Sequence, residues 1–116
     1  MVASAHRFAS SLRLVLDLNL SYVGYSPADK GITLMLPVDM DQTVTPSNDS
    51  WTVIIDGSNR NVVDFRWLAP NVCEVLHDGD IMETDGSLRY IAWDDGFRAL
   101  DGRLVHPSQF FSFAPL

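Results

Sequence analysis

The sequence predicts an all-β sandwich of about seven strands, and three observations predict it. Seven short apolar stretches recur along the chain, most alternating in and out with a period of two. Asp-Gly, Asn and Pro turns separate them at fairly even intervals. Asp greatly outnumbers Glu and Lys30 is the lone lysine. Aspartate favours turns while Glu and Lys favour helices, so this usage itself argues for a loop-rich β protein.

The first stretch is the most regular. Leu12, Leu14, Leu16, Leu18 and Leu20 occupy every second position, with Arg13, Asp17 and Asn19 between them. On a strand all five leucines share one face, whereas a helix would scatter them. Ile32, Leu34 and Leu36 repeat the alternation, and Pro37 ends it. Trp51, Val53 and Ile55 follow, then Val63, Phe65 and Trp67 with Asp64 and Arg66 outward. Val72 to His77, Leu88 to Trp93 and Gln109 to Phe113 complete the set. These stretches are rich in β-branched and aromatic residues, which suit a pleated, half-buried surface.

The punctuation agrees. Asp56-Gly57, Asp85-Gly86, Asp95-Gly96 and Asp101-Gly102 each offer a glycine for a positive-φ turn. Pro70-Asn71 is short enough to close a hairpin. Two longer segments, Ser21–Lys30 and Val38–Ser50, read as connections that cross between sheets or run along an edge.

At 116 residues the chain holds one domain and one core. We divide it into an N-terminal arm over 1–10, which lacks alternation, and a sandwich over 11–116. No window approaches the roughly 18 unbroken apolar residues of a membrane helix, and Asp17 interrupts the apolar run near the start, against a signal peptide. Cys73 is alone, so no intrachain disulfide forms. The net charge is −7, with no basic stripe to meet phosphates, which argues against nucleic-acid binding.

From Gly31 to Phe113 the chain resembles bacterial immunoglobulin-like modules of the SwmB type. The resemblance rests on Ile32-Thr33-Leu34-Met35-Leu36-Pro37-Val38-Asp39, on Trp51-Thr52-Val53-Ile54-Ile55-Asp56-Gly57, and on Val62-Val63. It continues through Leu88-Arg89-Tyr90, Ala99-Leu100-Asp101-Gly102 and Phe111-Ser112-Phe113, with Trp51 where a Phe is more usual. The resemblance implies an immunoglobulin-like sandwich and a non-enzymatic role. Such modules act as spacers in bacterial surface proteins, and related folds decorate tailed-phage virions. A lone module without a secretion signal points to a virion component, a head decoration or a tail or baseplate accessory. It would assemble with copies of itself and with a larger capsid or tail. The alternative is a cell-surface adhesion module that binds a receptor or glycan.

No catalytic set overlies the strand pattern. Cys73 and His77 fall on one strand face roughly 13 Å apart, too far for a nucleophile and its base. His106 completes no recognised zinc spacing with them. Neither a cofactor nor a metal is expected. The loop aspartates (Asp78, Asp80, Asp94, Asp95, Asp101) make calcium a minor reading, and turn formation accounts for them. Trp51, Trp67 and Trp93 occupy inward strand positions and read as core. Contacts with partners are assigned to four residues. Arg7 and Phe8 pair a charge with an aromatic anchor on the arm; Tyr22 and Tyr25, in the Ser21–Lys30 connection, admit two readings, packing within that loop or contact with a partner.

Overall fold

The computed structural model describes residues 18–92 and 97–114. Its strands are β1 (Ser21–Ser26), β2 (Gly31–Met35), β3 (Trp51–Ile55), β4 (Ser58–Arg60), β5 (Val62–Ala69), β6 (Val72–His77), β7 (Gly86–Ile91) and β8 (Ser108–Phe113). They form two four-stranded antiparallel sheets, ordered β1-β2-β6-β5 and β4-β3-β7-β8. In immunoglobulin lettering these are A-B-E-D and C′-C-F-G, so the chain has the immunoglobulin-like Greek-key topology.

Alternation in the sequence becomes layering in the fold. Ile32 and Leu34 on β2, Val53 and Ile55 on β3, Cys73 and Val75 on β6, and Leu88 and Tyr90 on β7 all point into the space between the sheets and are buried. With one cysteine no disulfide crosses the layers. Aromatic rings do so instead. Trp51, the first residue of β3, packs against Tyr90 on its own sheet with ring centroids 4.7 Å apart. It also reaches Phe65 on the opposite sheet at 6.1 Å.

Several turns follow the sequence closely. Asp56 and Gly57 both have positive φ, 50° and 82°, which is the type I′ hairpin that matches strand twist. Gly102 also turns at positive φ. Pro70-Asn71 closes the β5–β6 hairpin, since Ala69 and Val72 pair across it. Asn71 then ties in β2: its amide Nδ2 donates to the Leu36 carbonyl at 3.1 Å.

The structure corrects four expectations. Ser21–Lys30 does not cross between the sheets; it runs along an edge, but as a strand: Ser21–Ser26 is β1, the edge strand hairpin-paired to β2. Its alternation is hidden because the register shifts between Tyr22 and Gly24, a bulge that puts an extra residue into the strand. Ser58–Arg60 adds a short eighth strand after the Asp56-Gly57 turn. The penultimate strand begins at Gly86, two residues before the expected Leu88. Gly86 therefore serves no positive-φ turn. It is glycine because a Cβ there would meet the Met82 Sδ and the Phe113 ring at 2.8 Å. By contrast Val38–Ser50 does cross, carrying the chain from β2 to β3 in the other sheet.

Of the five-leucine stretch, Leu18 and Leu20 are described and both are buried. Leu18 bridges Val105 in parallel: its N–H donates to the Leu104 carbonyl, and its carbonyl accepts from the His106 N–H. Leu12, Leu14, Leu16 and the arm over 1–10 lie outside the described residues.

The β3–β4 turn also anchors the segment between β6 and β7. The Asp56 carboxylate accepts the N–H groups of Glu83, Thr84 and Asp85 and the Thr84 hydroxyl. These bonds, the Thr84 hydroxyl first, hold the Asp56 carboxyl far below the usual carboxylate range. Asp41, Asp78 and Asp101 are lowered likewise, chiefly by Thr43, Asn61 and Arg103. A carboxylate with a lowered folded-state pKa adds stability above its unfolded value of about 3.9, and this is lost as pH falls through the folded value. The protein should therefore lose stability on acidification below about pH 4, its carboxylates regaining protons as the turns open. Asp56→Asn, which keeps the shape but loses acceptor capacity, should lower the Tm at neutral pH and flatten this acid limb. Thermal melts across pH check both; an unchanged acid limb would show that the clasp does not couple to folding.

Candidate interaction surfaces

Tyr22 and Tyr25 sit on β1, not in a free loop. Tyr25 is 6% exposed and belongs to the core. Its hydroxyl lies 2.7 Å from His77 Nε2 and accepts the Met82 N–H at 3.1 Å. His77 Nδ1 lies 2.7 Å from the Asp78 carbonyl, which can only accept. Neutral His77 therefore carries its proton on Nδ1, and the tyrosine donates to Nε2. This chain of bonds staples the β6–β7 connection to the first sheet. Tyr22 is half-buried and stacks on Phe113 with centroids 4.5 Å apart. Arg7 and Phe8 lie outside the described residues.

Cys73 is fully buried, and burial pushes its thiol up to about 12. A thiol so protonated and enclosed is a packing residue, not a nucleophile. It should resist alkylation by iodoacetamide at pH 8 in the native protein and react at once in denaturant. Rapid native labelling would show that β6 opens readily.

Two of the loop aspartates, Asp78 and Asp101, are engaged locally. Asp78 accepts both the backbone and the side-chain amide of Asn61, and Asp101 holds Arg103. Asp94, Asp95 and Trp93 lie outside the described residues. Among the described residues no three His, Cys, Asp or Glu side chains are grouped to hold a metal. An open hollow of about 630 Å³ is lined by Lys30, Asp56, Arg60, Asp80, Ile81 and Glu83. In it the Asp56 carboxylate is already engaged by the clasp.

Among the described residues the two outer sheet faces differ. On the β1-β2-β6-β5 sheet, Arg66 bonds Glu74 directly across the β5–β6 ladder, with Nε to Oε1 at 2.6 Å. The same guanidinium reaches Asp29 at 3.3 Å. Glu74 is buried here because Gly31 leaves room for it; a Cβ at Gly31 would overlap its carboxylate. On the β4-β3-β7-β8 sheet, Arg89 lies 5.7 Å from the centre of the exposed Phe110 ring, its cross-strand neighbour on β8. The sequence reading missed Arg89 and Phe110. The available signal was that each precedes an inward residue, Tyr90 and Phe111, and so must point outward.

No protein-family model matches this chain, and no curated protein matches its sequence. Its fold is similar to solved structures of a bacterial surface-layer protein. The N-terminal part of the bacterial S-layer protein SbsC superposes with a TM-score of 0.63 at 9% identity over 96% of this chain. A longer fragment of the same S-layer protein gives the same score, identity and coverage. The chain spans only 27% of the first of those structures and 16% of the second. At this identity the likeness shows the immunoglobulin-like sandwich fold.

Proposed function

We propose that the chain is a structural, non-enzymatic immunoglobulin-like module of a bacterial surface assembly, acting through protein–protein contact. The observation that carries this reading is the fold likeness to SbsC modules along 96% of the chain. The surface reading displaces the virion component favoured by the sequence, because the similar structures are surface-layer proteins.

Antibodies raised against the folded chain test this. Intact cells that carry the gene should be labelled, and brief protease treatment of those cells should remove the signal. Label confined to the cytosolic fraction would overturn the surface reading, and label on purified phage particles would replace it with the virion reading.

A further inference from the structure

The carboxylates of this chain are distributed unevenly. Strands β3, β4, β7 and β8 contain no Asp or Glu at all. In a protein of net charge −7, one whole sheet is thus free of negative side chains. Its outer face carries Arg89, and among the described residues this guanidinium has no carboxylate partner. Beside it are two exposed apolar residues, Phe110 at 58% and Ile54 at 36%.

The outer face of the other sheet has the opposite balance. Asp29, Asp64 and Glu74 surround one guanidinium, Arg66, and all three act on it electrostatically. Exposed apolar residues lie on this sheet too, Val23 at 47% and Met35 at 43%. One face therefore offers a cation that has no carboxylate partner among the described residues, beside the exposed Phe110. The other offers the exposed carboxylates of Asp64 and Asp29, with Glu74 buried against Arg66.

From this complementarity we infer that the module stacks face to back on a second copy of itself, the Arg89–Phe110 face of one copy against the Asp64-bearing face of the next. Two like-charged copies can approach through a carboxylate-free sheet where their remaining surfaces repel. A symmetric pairing of the Arg89 faces would set cation against cation, whereas face-to-back contact sets Arg89 against carboxylates. Such a contact is heterologous and leaves both outer faces of the stack open, so it continues into an array instead of closing as a dimer. The inference deepens the proposed surface role, on which it rests, by naming how neighbouring modules would meet.

Sedimentation velocity on the purified chain, over a wide concentration range, tests it. The chain should grow without a fixed end point, and high salt should reduce the growth. Arg89→Glu alone and Asp64→Arg alone should each weaken self-association by about tenfold or more, because each sets like charges together at every junction. An equal mixture of the two variants should associate again. Copies carrying Arg89→Glu then face copies carrying Asp64→Arg at alternate junctions, and native pairs form at the others. Circular dichroism of each variant, both changed at exposed strand positions, establishes that it folds. A monomer throughout, a dimer that stops growing, or variants that fail to complement would each overturn face-to-back stacking. Cells labelled at the surface with a monomeric chain would refute the stacking alone. Stacking without surface label would refute the surface role alone.

Discussion

Trp51→Ala should destabilise the domain by about 3–5 kcal/mol, the cost of deleting a large buried aromatic and leaving its cavity. Trp51 is 5% exposed and touches the rings of Tyr90, Phe65 and Phe97. It bridges the two sheets near the point where a disulfide would otherwise constrain such a sandwich. Small domains are stable by only about 5–15 kcal/mol in total, so this single change removes a large part of the margin. The Tm should fall by about 15 °C, given several degrees per kcal/mol for a domain of this size. Trp51→Phe should recover most of the loss, because it keeps a ring stacked on Phe65 and packed against Tyr90. Differential scanning calorimetry of both variants decides. A fall of only a degree or two for Trp51→Ala would mean the neighbouring rings collapse into the space and that the sheets are held elsewhere.

Tyr25→Phe should be nearly as damaging, although it removes one oxygen and leaves the ring. That oxygen accepts from Met82 and donates to His77 Nε2 in a buried setting. Without it a backbone donor and a ring acceptor are both stranded, each costing about 1–3 kcal/mol. We expect a loss of about 2–4 kcal/mol and faster hydrogen exchange at the Met82 amide. Tyr22→Phe supplies the contrast. The Tyr22 hydroxyl has one long contact, 3.5 Å to the Ala114 carbonyl at the surface, so its removal should change stability by under about 0.5 kcal/mol. Equal effects for the two tyrosines would refute the assignment of the Tyr25 network as the staple of the β6–β7 connection.

Those two tyrosines also mark where sequence reasoning reached its limit. Both lie in Ser21–Ser26, whose in-and-out alternation is broken by a bulge after Tyr22. A bulge depends on how two strands meet and leaves little trace in one of them. The stretches that did announce themselves, around Ile32–Leu36, Trp51–Ile55 and Val72–His77, pair without register shifts in the β2–β6 and β3–β7 ladders. Asp-Gly shows the same limit at a single dipeptide. At Asp56-Gly57 the glycine turns the chain, while at Asp85-Gly86 it admits the Phe113 ring. Local chemistry is identical in the two places, and only the packing partner separates them.

The candidate surfaces were less legible than the fold. Arg7 and Phe8 fall outside the described residues, and the two tyrosines turned inward. The Arg89–Phe110 pair joins residues of different strands, so no local pattern could signal it.

The sequence by itself determined that this chain is all-β, that it has one layered core, and where most strands begin and end. Side-chain alternation and turn chemistry are local properties, read from neighbours a few residues apart. Only the tertiary structure decided which strands share a sheet, that Tyr25 is tied to His77, and that the carboxylates gather on one face of the sandwich and in its loops. Those facts rest on contacts between residues such as Tyr25 and His77, or Arg89 and Phe110, that lie far apart in the chain and meet when the sheets form.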